Sequence, residues 1–305
     1  MPFIEAKRFF EYGSEPDLEH WLELSRLVLD AQQLFEIYLW NYSQLVNGLH
    51  IYTNGVVCEV LDNGSQQSDL IRVNGYTMNY ISSGINLVNF LSAWCTHERE
   101  RGFDSCEAFK KLTNVEFDSN LNYALAYALR NYSQHGQLIV SMHKDNGIGK
   151  QICFDLYQLL NPMFVDMNAK AERRMEELLE FIENRQDGVI RLSYACLIDS
   201  FHQSICHLYC DFLKMLRPYV DDCMEKAQSV LDNSNEKVLF DNERGPFLIL
   251  LNKQNEDYIA HLLIGKPGEL ASSLATNLET ASKELVIAKS NLEKTRESFI
   301  PLSQE

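Results

Sequence analysis

Apolar residues recur every three or four positions over long stretches of this chain, and that period predicts helices. From Pro16 to Leu49, one stripe collects Trp21, Leu24, Val28, Ala31, Phe35, Tyr38, Tyr42 and Leu45. Ser14 or Asp17 is the expected cap and Asn47-Gly48 the expected stop. A second stripe, Ile81, Ile85, Val88, Leu91, Trp94 and Cys95, predicts a helix from Asn79 to Arg101, closed by Gly102. Between His50 and Tyr80 the texture changes. There, β-branched and aromatic runs are cut by Asn54-Gly55, Asn63-Gly64 and Asn74-Gly75, which predicts a small β-hairpin insertion.

The segment FDSCEAFKKLTNVEFDS reads as a short helix and loop, and Asp118 or Ser119 is expected to open the next helix, which Gly136 closes. QLIVSMH and KQICFDLY, with Asp145-Asn146-Gly147 between them, fit either a hairpin or the start of another helix. Asn161-Pro162 marks a boundary. Beyond it, AKAERRMEELLEFIENR predicts a charged amphipathic helix, and the stretch from Val189 to Leu231 a long, largely buried helix bent near Pro218. NEKVLFDNERGPFLILLN suggests two short strands, and the stretch from Gly268 to Ser298 a last helix packed on the chain's own core. The expected fold is mostly α, a helical bundle with small β-hairpin insertions and a second helical region. The expected domains are 1–162, with a β insertion near 50–80, and a C-terminal region, 163–305.

Composition narrows the setting. At 46% hydrophobic and 23% charged, the chain reads as an ordinary globular protein. No apolar run is long enough to cross a bilayer and no signal core opens the chain, so a cytoplasmic protein without a membrane partner is expected. The eight cysteines lie in apolar segments without a paired framework and are expected as buried thiols. A formal charge of −16 argues against an extended basic surface for nucleic acid, while leaving room for a local cationic cleft or a basic partner.

Candidate chemistry concentrates in YALRNYSQHG, Tyr127 to Gly136. On a wheel of about 100° per residue, Leu121, Leu125, Ala128, Leu129 and Tyr132 share one side. Tyr123, Tyr127, Arg130, Asn131, Gln134 and His135 gather on the other, within an arc of roughly 140°. Such a face suits RNA cleavage without a metal. An imidazole titrating near neutrality moves a proton to or from the reacting oxygens, a guanidinium binds two phosphate oxygens, and an amide orients the ring. One helix carries a single imidazole, so an acid–base pair calls for a second copy across a two-fold axis. The Arg-to-His spacing by itself carries almost no information, because it arises about once by chance in a chain of this composition.

RNYSQH, Arg130 to His135, resembles the R-N-x-x-x-H form of the RX4–6H signature of HEPN (higher eukaryote and prokaryote nucleotide-binding) domains. NLVNFLSAWCTHERE, the FKKL segment, the approach FDSNLNYALAYAL and the exit QHGQLIVS are similar in order and spacing to bacterial members, over about residues 80–160. The resemblance implies an all-helical HEPN-like domain that dimerises through the motif helix, and metal-independent endoribonuclease activity on RNA. Arg130 and His135 would be the catalytic pair and Asn131 their polar helper, with no cofactor and no metal. It also implies a setting in phage defence, toxin–antitoxin pairs or stress, with a regulatory or antitoxin protein as a further partner. The alternative it carries is a non-catalytic module that binds a protein or a nucleotide.

Other clusters read as structure. His202, Cys206 and Cys210 are spaced four apart on one helical face, a conceivable metal set, but their neighbours are core-like and His207 points away. Asp145 to Gln151 lacks the first glycine and the final hydroxyl of a phosphate-binding loop and reads as a turn. Glu98 to Arg101 reads as a solvated helix end, and Cys95 and Cys153 have no sequence neighbour to activate them.

Overall fold

The computed structural model describes residues 16–48, 66–134, 140–145, 149–155, 191–233, 247–251, 258–262 and 267–298, together with Arg173. The protein is mostly α-helical. Its described helices include α1 (Pro16–Gly48), α2 (Gln66–Arg99), α3 (Cys106–Ser119), α4 (Leu121–Gln134), α5 (Tyr194–Asn233) and α6 (Pro267–Ser298). Short strands β1 (Ser141–Asp145), β2 (Gly149–Asp155) and β3 (Arg191–Ser193) form one antiparallel sheet in that order, and β4 (Phe247–Leu251) pairs antiparallel with β5 (Tyr258–Leu262).

Contacts divide the chain into two compact units, Met1–Gln33 with Asp211–Thr280, and Leu34–Cys210 with Ala281–Glu305. The expected division between 162 and 163 lies outside the described residues. Each unit is built from segments distant in sequence. In the first unit, Tyr219 of α5 meets His20 of α1 at 3.0 Å, and Asn277 of α6 donates to Gln32 of α1 at 2.9 Å.

The second unit carries the candidate site. The helical stripe of α1 is buried at Phe35, Tyr38 and Leu45, and that of α2 at Ile81, Ile85, Val88, Leu91, Trp94 and Cys95. Phe35 stacks on Tyr209 of α5 with centroids 4.1 Å apart. Gly84 of α2 marks a close approach between helices: a Cβ there would lie 2.9 Å from the Phe201 ring and 3.0 Å from the Tyr38 ring. On α6, Ala281, Leu285, Ala288 and Leu292 face inward, and Thr295 donates to the buried Asp199 carboxylate of α5.

Three expectations need correction. The β insertion near 50–80 does not extend to its second half, because residues 66–80 are helical; residues 49–65 lie outside the described set. Asn74-Gly75 favours a turn locally, yet Asn74 is buried and its amide both donates to Val140 O and accepts from Val140 N, at 2.9 Å each. That tertiary pairing outweighs a local preference worth about 1 kcal/mol. The opener of α4 is Asn120 rather than Asp118 or Ser119: its Oδ1 accepts from the backbone N–H groups of Asn122 and Tyr123 at 3.2 and 3.4 Å. Glu98 is fully buried rather than solvated, with its carboxylate 3.0 Å from His97 Nδ1 and 3.6 Å from the Arg101 guanidinium. Its carbonyl accepts from Arg101 and Phe103 around Gly102, whose φ of +102° ends the helix as expected. The charged segment from Ala169 to Arg185 lies outside the described residues, apart from Arg173.

Candidate phosphate-binding site on the fourth helix

The placing of α4 begins with Asn120, the one residue between α3 and α4. It caps both. Its N–H closes α3 on Glu116 O at 2.9 Å while its side chain opens α4. The same amide donates to Glu116 Oε1 at 3.0 Å and to Ser204 Oγ of α5 at 2.8 Å, and accepts from Ser200 Oγ at 3.1 Å. Ser204 donates to Glu116 Oε1 at 2.6 Å, and His207 Nδ1 lies 3.6 Å from Glu116 Oε2. Burial works against the Glu116 charge, but these donors outweigh it and hold its carboxyl below the ordinary value. The start of α4 is therefore pinned to α5.

From that anchor, α4 presents Tyr127, Arg130 and Asn131 half-buried, with Ala124, Leu125, Ala128, Leu129 and Tyr132 in the core. Arg130 Nε is buried and has no hydrogen-bond partner among the described residues. A buried donor without an acceptor costs about 1–3 kcal/mol, and more when charged, so this nitrogen calls for an acceptor that the described residues do not supply. Burial raises the Tyr127 hydroxyl above its ordinary pKa, and the positive charge of Arg130 acts in the opposite sense, which sets the guanidinium within electrostatic reach of the phenol.

The wheel misplaced Tyr123. It is 1% exposed, stacked on Phe201 of α5 with centroids 5.9 Å apart, because α4 is covered on two sides. Its hydroxyl is 3.3 Å from that of Tyr127, and the two rings meet edge to face, as do those of Phe117 and Tyr127. His135 lies outside the described residues, as does the Gln134 side chain, so Arg130 and Asn131 are the motif residues whose placement is described. Sequence reasoning did not find Asn120, Glu116 and Ser204. The one signal available was a polar residue of good capping type where the helical period breaks.

The His202 cluster is packing. Its ring is fully buried, stacked on Tyr42 at 3.7 Å, with Nδ1 2.8 Å from the Tyr38 hydroxyl and Nε2 3.8 Å from Cys206 Sγ. Cys210 Sγ faces Ser282 Oγ at 3.5 Å. No group of three or more His, Cys, Asp or Glu among the described residues is arranged to hold a metal ion. Burial first, then the neighbouring Cys106 thiol, pushes Cys95 up to about 12, which leaves it a poor nucleophile. Among the described residues, no helix is long and apolar enough to cross a membrane. No family model, curated protein or solved structure matches the chain.

Proposed function

We propose that the chain is a metal-independent endoribonuclease of the HEPN type. The observation that carries this reading is the buried Nε donor of Arg130, unpartnered among the described residues, on a half-buried face shared with Asn131. A phosphodiester supplies the missing acceptor. In the proposed reaction the 2′-oxygen attacks phosphorus and the P–O5′ bond breaks. One His135 imidazole accepts the 2′-hydroxyl proton while a second, from the other copy in a homodimer formed through this helix, protonates the departing O5′. Arg130 holds the non-bridging oxygens and offsets the developing charge, and Asn131 orients the ring. The products are a 2′,3′-cyclic phosphate and a 5′-hydroxyl end. The reading places the protein in a cytoplasmic defence or stress setting, held in check by a regulatory or antitoxin protein.

The net charge of −16 favours a second reading, a non-catalytic module that uses the same arginine to bind a nucleotide or a charged protein. One assay separates the two. RNA is incubated with the full chain and a chelator, beside Arg130→Ala and His135→Ala. The nuclease reading expects cleavage by wild type that drops about 100-fold or more in each variant. Nucleotide binding without cleavage selects the second reading.

A further inference from the structure

The Tyr123–Tyr127 hydroxyl pair is unequal. Tyr123 is almost wholly buried, and the one hydrogen bond its hydroxyl makes among the described residues is to Tyr127, at 3.3 Å. A buried hydroxyl places its proton on an available acceptor, since leaving the donor unmade costs about 1–3 kcal/mol. Tyr123 therefore donates and Tyr127 accepts. The proton of Tyr127 is then free to turn toward the half-exposed side of α4, where Arg130 lies one helical turn further along. Phe117 and Tyr123 hold the Tyr127 ring edge to face at 5.8 and 5.2 Å, so packing fixes the ring and the position of its oxygen, about which the proton turns.

We propose that Tyr127 Oη and Arg130 Nε together form an oxyanion site for a phosphodiester, with Tyr123 as the positioning residue that orients the Tyr127 hydroxyl. This rests on the nuclease reading for the identity of the anion as an RNA phosphate. The site itself rests on the one-turn spacing of Tyr127 and Arg130 along α4 and on the Nε donor left without a partner among the described residues. The guanidinium supplies charge and the phenol supplies a neutral, directed donor, so a phosphate would receive hydrogen bonds from two residues one turn apart.

The test uses the full chain and a short fluorescein-labelled 2′-O-methyl RNA, which lacks the nucleophilic hydroxyl and so reports binding alone. Tyr127→Phe keeps the ring and its packing. It is expected to weaken binding about tenfold, the worth of a hydrogen bond to a charged acceptor. Tyr123→Phe is expected to weaken it less, about two- to fourfold, because it loosens Tyr127 without removing its donor. The two losses should also differ in kind. Arg130→Ala lowers the slope of log affinity against log salt by about 0.7, whereas Tyr127→Phe leaves the slope unchanged because no charge is lost. In the double variant, Tyr127→Phe should add little to Arg130→Ala if both hold one phosphate.

Binding by Tyr127→Phe within twofold of wild type, with the fold intact by circular dichroism, overturns the proposal. So does a larger loss from Tyr123→Phe than from Tyr127→Phe, or no measurable binding by wild type. Cleavage of unmodified RNA is scored separately. Intact RNA alongside Tyr127-dependent binding removes the nuclease reading and keeps the oxyanion site, whereas cleavage with Tyr127-independent binding does the reverse.

Discussion

His202 Nδ1 lies 2.8 Å from the Tyr38 hydroxyl, and this contact sets the proton order of a buried chain. Tyr80 Oη donates to Ile198 O at 3.1 Å, so it accepts from Tyr38, also at 3.1 Å. Tyr38, its proton spent, must accept from His202 Nδ1–H. Nε2 is left as the acceptor that faces the Cys206 thiol. The imidazole is neutral, with one tautomer, and burial holds its pKa down at about 3.

The acid response follows from that neutrality. Unfolded histidine titrates near 6.5, so the unfolded chain binds a proton at this residue over a range where the folded chain does not. The stability contributed is fully present above about 6.5 and falls with pH toward 3, by up to about 1.4 kcal/mol per pH unit. Urea unfolding between pH 7 and 5 should show this loss in wild type and a shallower one in His202→Phe. Equal slopes in the two proteins would contradict a neutral buried imidazole.

Two glycines of α2 should respond oppositely to alanine. Gly84→Ala drives a methyl into Phe201 and Tyr38, both fully buried, and should destabilise by about 1–3 kcal/mol. Gly75 is exposed within the helix with open space around its Cβ position, so Gly75→Ala should stabilise by about 0.5–1 kcal/mol. Paired thermal melts would expose an error in either sign.

Asn120→Ala removes the α4 cap and the link to Glu116, Ser200 and Ser204 together. The expected loss is about 2 kcal/mol, at the upper end of capping effects. Hydrogen exchange should quicken in the first turn of α4 before it does in α2. A uniform increase across both helices would argue against a local anchor.

Asn74→Ala leaves the N–H and C=O of buried Val140 without the side-chain amide they share. A loss of about 2–3 kcal/mol is expected, read as a lower urea midpoint at unchanged slope. A loss below about 0.5 kcal/mol, typical of surface substitutions, would show that water replaces the amide without cost.

What was legible in the sequence was what a single helix decides for itself. Every stripe position of α1 from Trp21 to Leu45 except the half-buried Tyr42, and every one of α2 from Ile81 to Cys95, is buried, because period and burial are one fact seen twice. Arg130 and Asn131 were likewise placed on the less buried side of α4. What failed depended on a second element. Asn74-Gly75 has turn chemistry until Val140 arrives, and Tyr123 belongs to a polar arc until α5 covers it with Phe201. Glu98 sits in a charged run, and nothing local says that its carboxylate turns inward toward His97 and Arg101. A wheel assumes one packing face, whereas α4 has two.

Aspartate and asparagine are nearly interchangeable at most helix starts, and a single base change converts one codon into the other. At position 120 that path is closed. Aspartate would still cap α4, but it would set a second carboxylate 3.0 Å from Glu116 and lose the donor shared with Ser204. Any lineage of this fold that replaces Asn120 by Asp should also have given up the acid at 116, so that the two positions drift together or not at all.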